Sequence, residues 1–157
     1  MAMMIQSAIE LYGGGLGSGR HPYGRKLPAE LYKGVLLKHG QEALKKGIVP
    51  QSSWDEKKTP RVYTTTKKDR AWGYAQGNLE MENDNRHDVH LKPLHEYAVI
   101  VLKDVDGKLA KQLHPQSSED EHVFRGAVHR RYIDRVEVYR TTSNPDKPIL
   151  VRTIRVK

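Results

Sequence analysis

Two tyrosines stand eleven positions apart in RVYTTTKKDRAWGYA, Arg61 to Ala75. Tyr63 lies in a run that reads as a strand, and Tyr74 in one that reads as a helix, so a strand-to-helix junction separates them. Two aromatic faces brought together across such a junction form the walls of a slot for a flat ligand. Each wall would add about 0.5–1.5 kcal/mol of ring stacking beyond burial. The plainer alternative is ordinary packing, with Tyr63 half-buried in a strand and Tyr74 in the helix core. Three adjacent acids, Glu119, Asp120 and Glu121, come just before the apolar Val123 and Phe124. On composition alone they read as a solvated acidic turn. His87, His90 and His95 fall within nine residues, beside Asp88. That cluster lacks a convincing fourth ligand and helical spacing, so no metal is expected. No Ser-His-Asp pattern, HExxH or Walker phosphate loop is present.

The elements that must position these residues follow from pattern. Leu31 to Val35 reads as a strand. Leu37 to Lys46 reads as a helix, with Lys45 and Lys46 at its end and Gly47 beyond it. Ser52 to Pro60 is a polar loop, and Val62 to Thr64 a strand. Thr66 and Asp69 have capping-box spacing, which predicts a helix from Lys67 to about Gln76. Gly77 to Leu94 reads as a long polar loop, a candidate for acceptor contact. The run YAVIVL, Tyr97 to Leu102, is a buried strand. Val123 to Val128, Val136 to Tyr139 and Ile149 to Val156 are further strands. The class is α+β, an antiparallel or mixed sheet with two early helices on one side. Residues 27–157 form the domain. Residues 1–26 form a leader, with a short helical run (Ile5, Ala8, Ile9) and then GGGLGSGRHPYGRK, whose six glycines read as a flexible linker.

The chain has 157 residues, enough for one domain with one substantial core. Its net charge of +8 favours phosphate-bearing partners, or simply keeps the surface solvated. Arg125, His129, Arg130, Arg131 and Arg135 suggest a basic patch, a candidate polyanion contact. There is no cysteine, which excludes disulfides and thiol catalysis. No apolar run approaches the roughly 20 residues of a membrane span, and the N-terminus lacks signal-peptide character. A cytoplasmic location without membrane contact is expected.

The order of these motifs resembles the ADP-ribosyltransferase fold, in its His-Tyr-Glu branch of diphtheria-toxin-like and poly(ADP-ribose) polymerase-like enzymes. The resemblance covers about Leu31 to Val138. It implies a split β-sheet core and a mono-ADP-ribosyltransferase that uses NAD as co-substrate. Tyr63 and Tyr74 match the paired tyrosines that hold nicotinamide, and Thr65 and Thr66 shape the junction through their hydroxyls. Glu121 matches the acid opening a late strand, with Glu119 and Asp120 as alternatives. Cleaving the nicotinamide–ribose bond leaves positive charge on the ribose, which a carboxylate stabilises. Lys33, followed by Gly34, stands where the family usually has His-Gly. A lysine would attract the pyrophosphate as a mobile point charge rather than an oriented ring. His39-Gly40 has the right dipeptide but sits inside a predicted helix.

Two other readings stay open. RNA 2′-phosphotransferases look similar, and the basic patch suits their phosphorylated RNA. A non-catalytic basic module would keep the fold alone. The glycine-rich leader is faintly similar to tails of some phage structural proteins, which suits a virion-associated or phage-delivered protein. The acceptor, whether protein, nucleic acid or small molecule, is not legible.

Overall fold

The computed structural model describes residues 27–50, 60–115, 117–118 and 120–156. The leader, most of the Ser52–Pro60 loop and Glu119 lie outside them. Six strands form one antiparallel sheet: β1 (Leu31–Leu36), β2 (Arg61–Thr65), β3 (Glu96–Leu102), β4 (Glu121–Arg125), β5 (Ile133–Arg140) and β6 (Ile149–Arg155). Their order is β4-β2-β1-β3-β5-β6. Two α-helices accompany them, α1 (Leu37–Lys46) and α2 (Lys68–Asp88). The class is α+β, as expected.

The helices lie on opposite faces of the sheet, not on one. The side-chain period of two divides β3 between two cores. Ala98, Ile100 and Leu102 join Val35, Ala43 and Val136 on the α1 face. Tyr97, Val99 and Val101 join Leu36, Ala71, Ala75 and Leu79 on the α2 face. A strand covered on both faces reads as an unbroken apolar run, and this is what YAVIVL is. Gly40 lets α1 come close, since a Cβ there would lie 2.9 Å from Ala98 Cβ.

α2 departs most from expectation. It continues through Gly77 to Asp88, where a loop was predicted. Its buried residues Ala71, Ala75 and Leu79 recur at four-residue spacing. Past Leu79, polar contacts hold it. Asn83 Nδ2 donates to Leu94 O at 2.9 Å, and Leu94 N donates back to Asn83 Oδ1 at 2.7 Å. Arg86 Nε donates to Lys92 O at 2.6 Å. The helix closes in a Schellman arrangement: Leu91 N donates to Arg86 O, His90 N donates to His87 O, and His90 takes the left-handed position at φ 61°. The capping box does not form. Lys67 is the N-cap, Thr66 Oγ1 turns to Asp120 O at 3.4 Å, and Asp69 Oδ1 accepts from Arg70 N.

β4 also differs. It starts at Glu121 and ends at Arg125, before Gly126 at φ 69°, while Val128 pairs separately with Ile48. Arg135, expected in a basic patch, is enclosed by acids. Its guanidinium meets Glu30 at 2.8 Å, Asp134 at 2.7 Å and Glu137 at 2.9 Å. No helix among the described residues is long and apolar enough to cross a membrane.

Candidate functional site

The sheet is thinnest between β1 and β2. β1 pairs with β3 along its whole length, and β2 with β4 likewise. Among the described residues β1 meets β2 only at Tyr32 opposite Thr65. Beyond that pair the two strands diverge and a cleft of about 290 Å³ opens. Lys33 and Gly34 line it from β1, Tyr63, Thr64 and Thr65 from β2, Tyr74 and Asn78 from α2, and Glu121 from β4. Six residues singled out from sequence, Lys33, Gly34, Tyr63, Thr65, Tyr74 and Glu121, border this one cleft, while Thr66, singled out beside Thr65, turns to Asp120 and does not. Its volume lies at the small end of ligand sites.

The tyrosines are not core residues. Tyr63 is 43% exposed and Tyr74 54%, whereas Tyr97 and Tyr139 are buried and stacked on each other. Tyr63 is thus half-buried in a strand, as the packing reading has it, whereas Tyr74 is not in the helix core. Gly34 sets how closely α2, and Tyr74 with it, approaches the sheet. A Cβ on Gly34 would run into Ala71 O and lie 2.8 Å from Ala75 N.

The threonines tie β2 to the start of β4. Thr64 Oγ1 donates to His122 O at 2.8 Å and Thr65 Oγ1 to Asp120 O at 3.1 Å. Thr66 N donates to Asp120 O as well. Glu121 stands opposite Thr65, and a turn fixes its backbone, with Glu121 N donating to Ser118 Oγ and Ser118 N to Glu121 O. Two neighbouring acids thus have different settings. Asp120 faces the start of α2, 3.6 Å from Lys67 Nζ and 3.7 Å from Arg70 Nη2. Glu121 lines the cleft and has no ion pair among the described residues. Glu119 lies outside those residues.

Lys33 spans the divergence. Its Nζ donates to Tyr63 O at 3.1 Å, joining β1 to β2 where their backbones no longer pair. Burial pushes its pKa down to about 8. The ammonium is therefore charged for most molecules at neutral pH, with two donors left for an anion.

Sequence reasoning missed Tyr32, Thr64 and Asn78. Asn78 follows Tyr74 by one helical turn, so the spacing would have found it had the helix been extended. Tyr32 OH donates to Glu30 Oε1, and Lys68 Nζ stands 5.3 Å above its ring. His39 and Gly40 lie in α1, away from this cleft. Among the described residues no three His, Asp or Glu side chains converge as a metal site. No protein-family model matches the chain, and no curated protein matches it significantly in sequence.

Proposed function

We propose that the chain is an NAD-dependent mono-ADP-ribosyltransferase and that the β1/β2 cleft is its active site. The observation that carries this reading is convergence: six residues chosen for that chemistry, spread from position 33 to 121, border one cleft. Two further features support it. Neither tyrosine is a core residue, and strand pairing thins to a single pair between β1 and β2, the strands that carry Lys33 and Tyr63.

In this reading nicotinamide stacks between Tyr63 and Tyr74. The bond from ribose C1′ to the nicotinamide nitrogen breaks, and neutral nicotinamide leaves. The acceptor nucleophile bonds to C1′ and gives up its proton. Glu121 accepts from the ribose 2′-OH and offsets the positive charge that develops on the ring. Lys33 takes the place of the usual histidine. Already tied to Tyr63 O, its ammonium attracts the pyrophosphate.

Calorimetric titration with NAD tests the site. The wild-type chain is expected to bind, and Tyr63→Ala and Tyr74→Ala to bind more weakly while folding normally. Normal folding without NAD binding would leave a basic module that keeps this fold.

A further inference from the structure

A second cleft, of about 340 Å³, lies on the α1 face of the sheet. Its floor is apolar, made by Val35, Ala43, Ile48 and Ile100, and its polar groups include His39, Glu42 and Lys46. Lys33 borders both clefts, so its side chain separates them at the divergence of β1 and β2.

A cationic rim adjoins this second cleft, and the fold builds it from distant positions. Gly47, at φ 77°, presses against the turn after β4, where a Cβ would strike Val128 O and come within 2.9 Å of Arg130 N. Ile48 N donates to Val128 O and Val128 N to Ile48 O, which locks the two segments together. Lys45 and Lys46 at the end of α1 are thereby set beside His129, Arg130 and Arg131, and all five are exposed. None of these lysines and arginines has an ion pair among the described residues. Helix polarity accounts for the two lysines alone, but not for the arginines brought beside them.

We propose that this cleft and its rim bind single-stranded RNA, with a base seated on the apolar floor and the flanking phosphates on the rim. A flat apolar pocket beside a cationic track is what a splayed-out nucleotide requires. Glu42 selects the base. A carboxylate accepts from the exocyclic amine of cytosine; uracil presents at that position a carbonyl oxygen, which repels the carboxylate, and offers only its ring N3–H. Its second oxygen accepts from a 2′-OH, which favours ribose over deoxyribose. The binding stands without the transferase reading; its consequence, that RNA is the acceptor, rests on that reading.

The test is fluorescence anisotropy with labelled twelve-residue oligonucleotides and no NAD. Contacts from four cations give a log–log salt slope of about −2.8, so binding of oligo-rC is expected to weaken roughly 50-fold between 50 and 200 mM salt. The double variant Lys46→Gln/Arg130→Gln is expected to cut that slope by about 1.4, while Lys92→Gln, at a site away from the rim, leaves it unchanged. Oligo-rC is expected to bind roughly tenfold more tightly than oligo-rU, a preference lost in Glu42→Ala. Three results would overturn the proposal: a rim variant that binds like Lys92→Gln, equal binding of oligo-rC and oligo-dC, or rim-dependent binding of phosphatidylserine vesicles without binding of oligo-rC.

Discussion

Gly34→Ala probes the contact on which the cleft geometry depends. The new methyl group would meet the Ala71 carbonyl oxygen and lie 2.8 Å from both Ala71 C and Ala75 N. These are backbone atoms in a helix anchored by Ala71, Ala75 and Leu79, so no side chain can swing aside. Overpacking commonly costs about 1–3 kcal/mol, and a backbone obstacle belongs at the upper end. A loss of about 3 kcal/mol lowers Tm by roughly 6–12 °C in a chain of this size. Relief requires α2 to move outward, carrying Tyr74 away from Tyr63. Gly77→Ala in the same helix is the contrast. Its Cβ would have nothing within 4 Å, so it gains only helix propensity, about 1 kcal/mol, and Tm rises by roughly 2–4 °C. Thermal unfolding followed by circular dichroism reads both. A Gly34→Ala protein that melts with the wild type would refute the close seating of α2 on β1.

Three further outcomes are expected. Tyr63→Ala is expected to weaken NAD binding by about 2- to 13-fold, the equivalent of one stacked ring, while Tm falls less than for a core tyrosine because Tyr63 is half exposed; calorimetry and a melt check this together. Lys33 has a folded-state pKa of about 8, below its ordinary 10.5. Between those values the unfolded chain keeps a proton that the folded chain has lost, so stability from this group rises with pH. Urea titrations at several pH values across that window are expected to show the rise in wild type and its absence in Lys33→Met. Glu137 is buried, which alone would raise its pKa, but hydrogen bonds from Tyr139, Arg135 and Lys68 outweigh burial and hold it below the ordinary carboxylate value. Its contribution is present above the unfolded-state pKa and is lost as pH falls through the folded one. Glu137→Ala, which leaves the buried Tyr139 hydroxyl without its acceptor while Glu30 and Asp134 still pair Arg135, is expected to cost about 1–3 kcal/mol by chemical denaturation at neutral pH.

Much of the frame was legible because its signals are local. Lys45, Lys46 and Gly47 ended α1 where the helix does end, and the run Tyr97 to Leu102 identified the doubly buried strand. The second half of α2 was not legible. Beyond Leu79 it has no apolar stripe, and the contacts of Asn83 and Arg86 with the returning chain give no periodic signal. Gly77 also looked like a breaker, although its place in the helix costs only about 1 kcal/mol. Losing that half hid Asn78. Thr66 and Asp69 had capping spacing, but Thr66 is drawn to Asp120, a partner 54 positions away that spacing cannot reveal. The same limit applies to Arg135, whose string of basic neighbours gave no hint of Glu30. The site residues were named from motif resemblance. Their convergence comes from the parting of β1 and β2, which depends on long-range pairing.

The most direct measurement is nicotinamide release from NAD by the wild-type chain beside Glu121→Gln and Asp120→Asn, with folding checked in each. Release by the wild type is expected, with a fall of roughly 10²–10³ in Glu121→Gln, as for loss of one electrostatic stabiliser, and little change in Asp120→Asn, since the Asp120 carboxylate faces Lys67 and Arg70. Undiminished release by Glu121→Gln, or a collapse confined to Asp120→Asn, would contradict this role of Glu121.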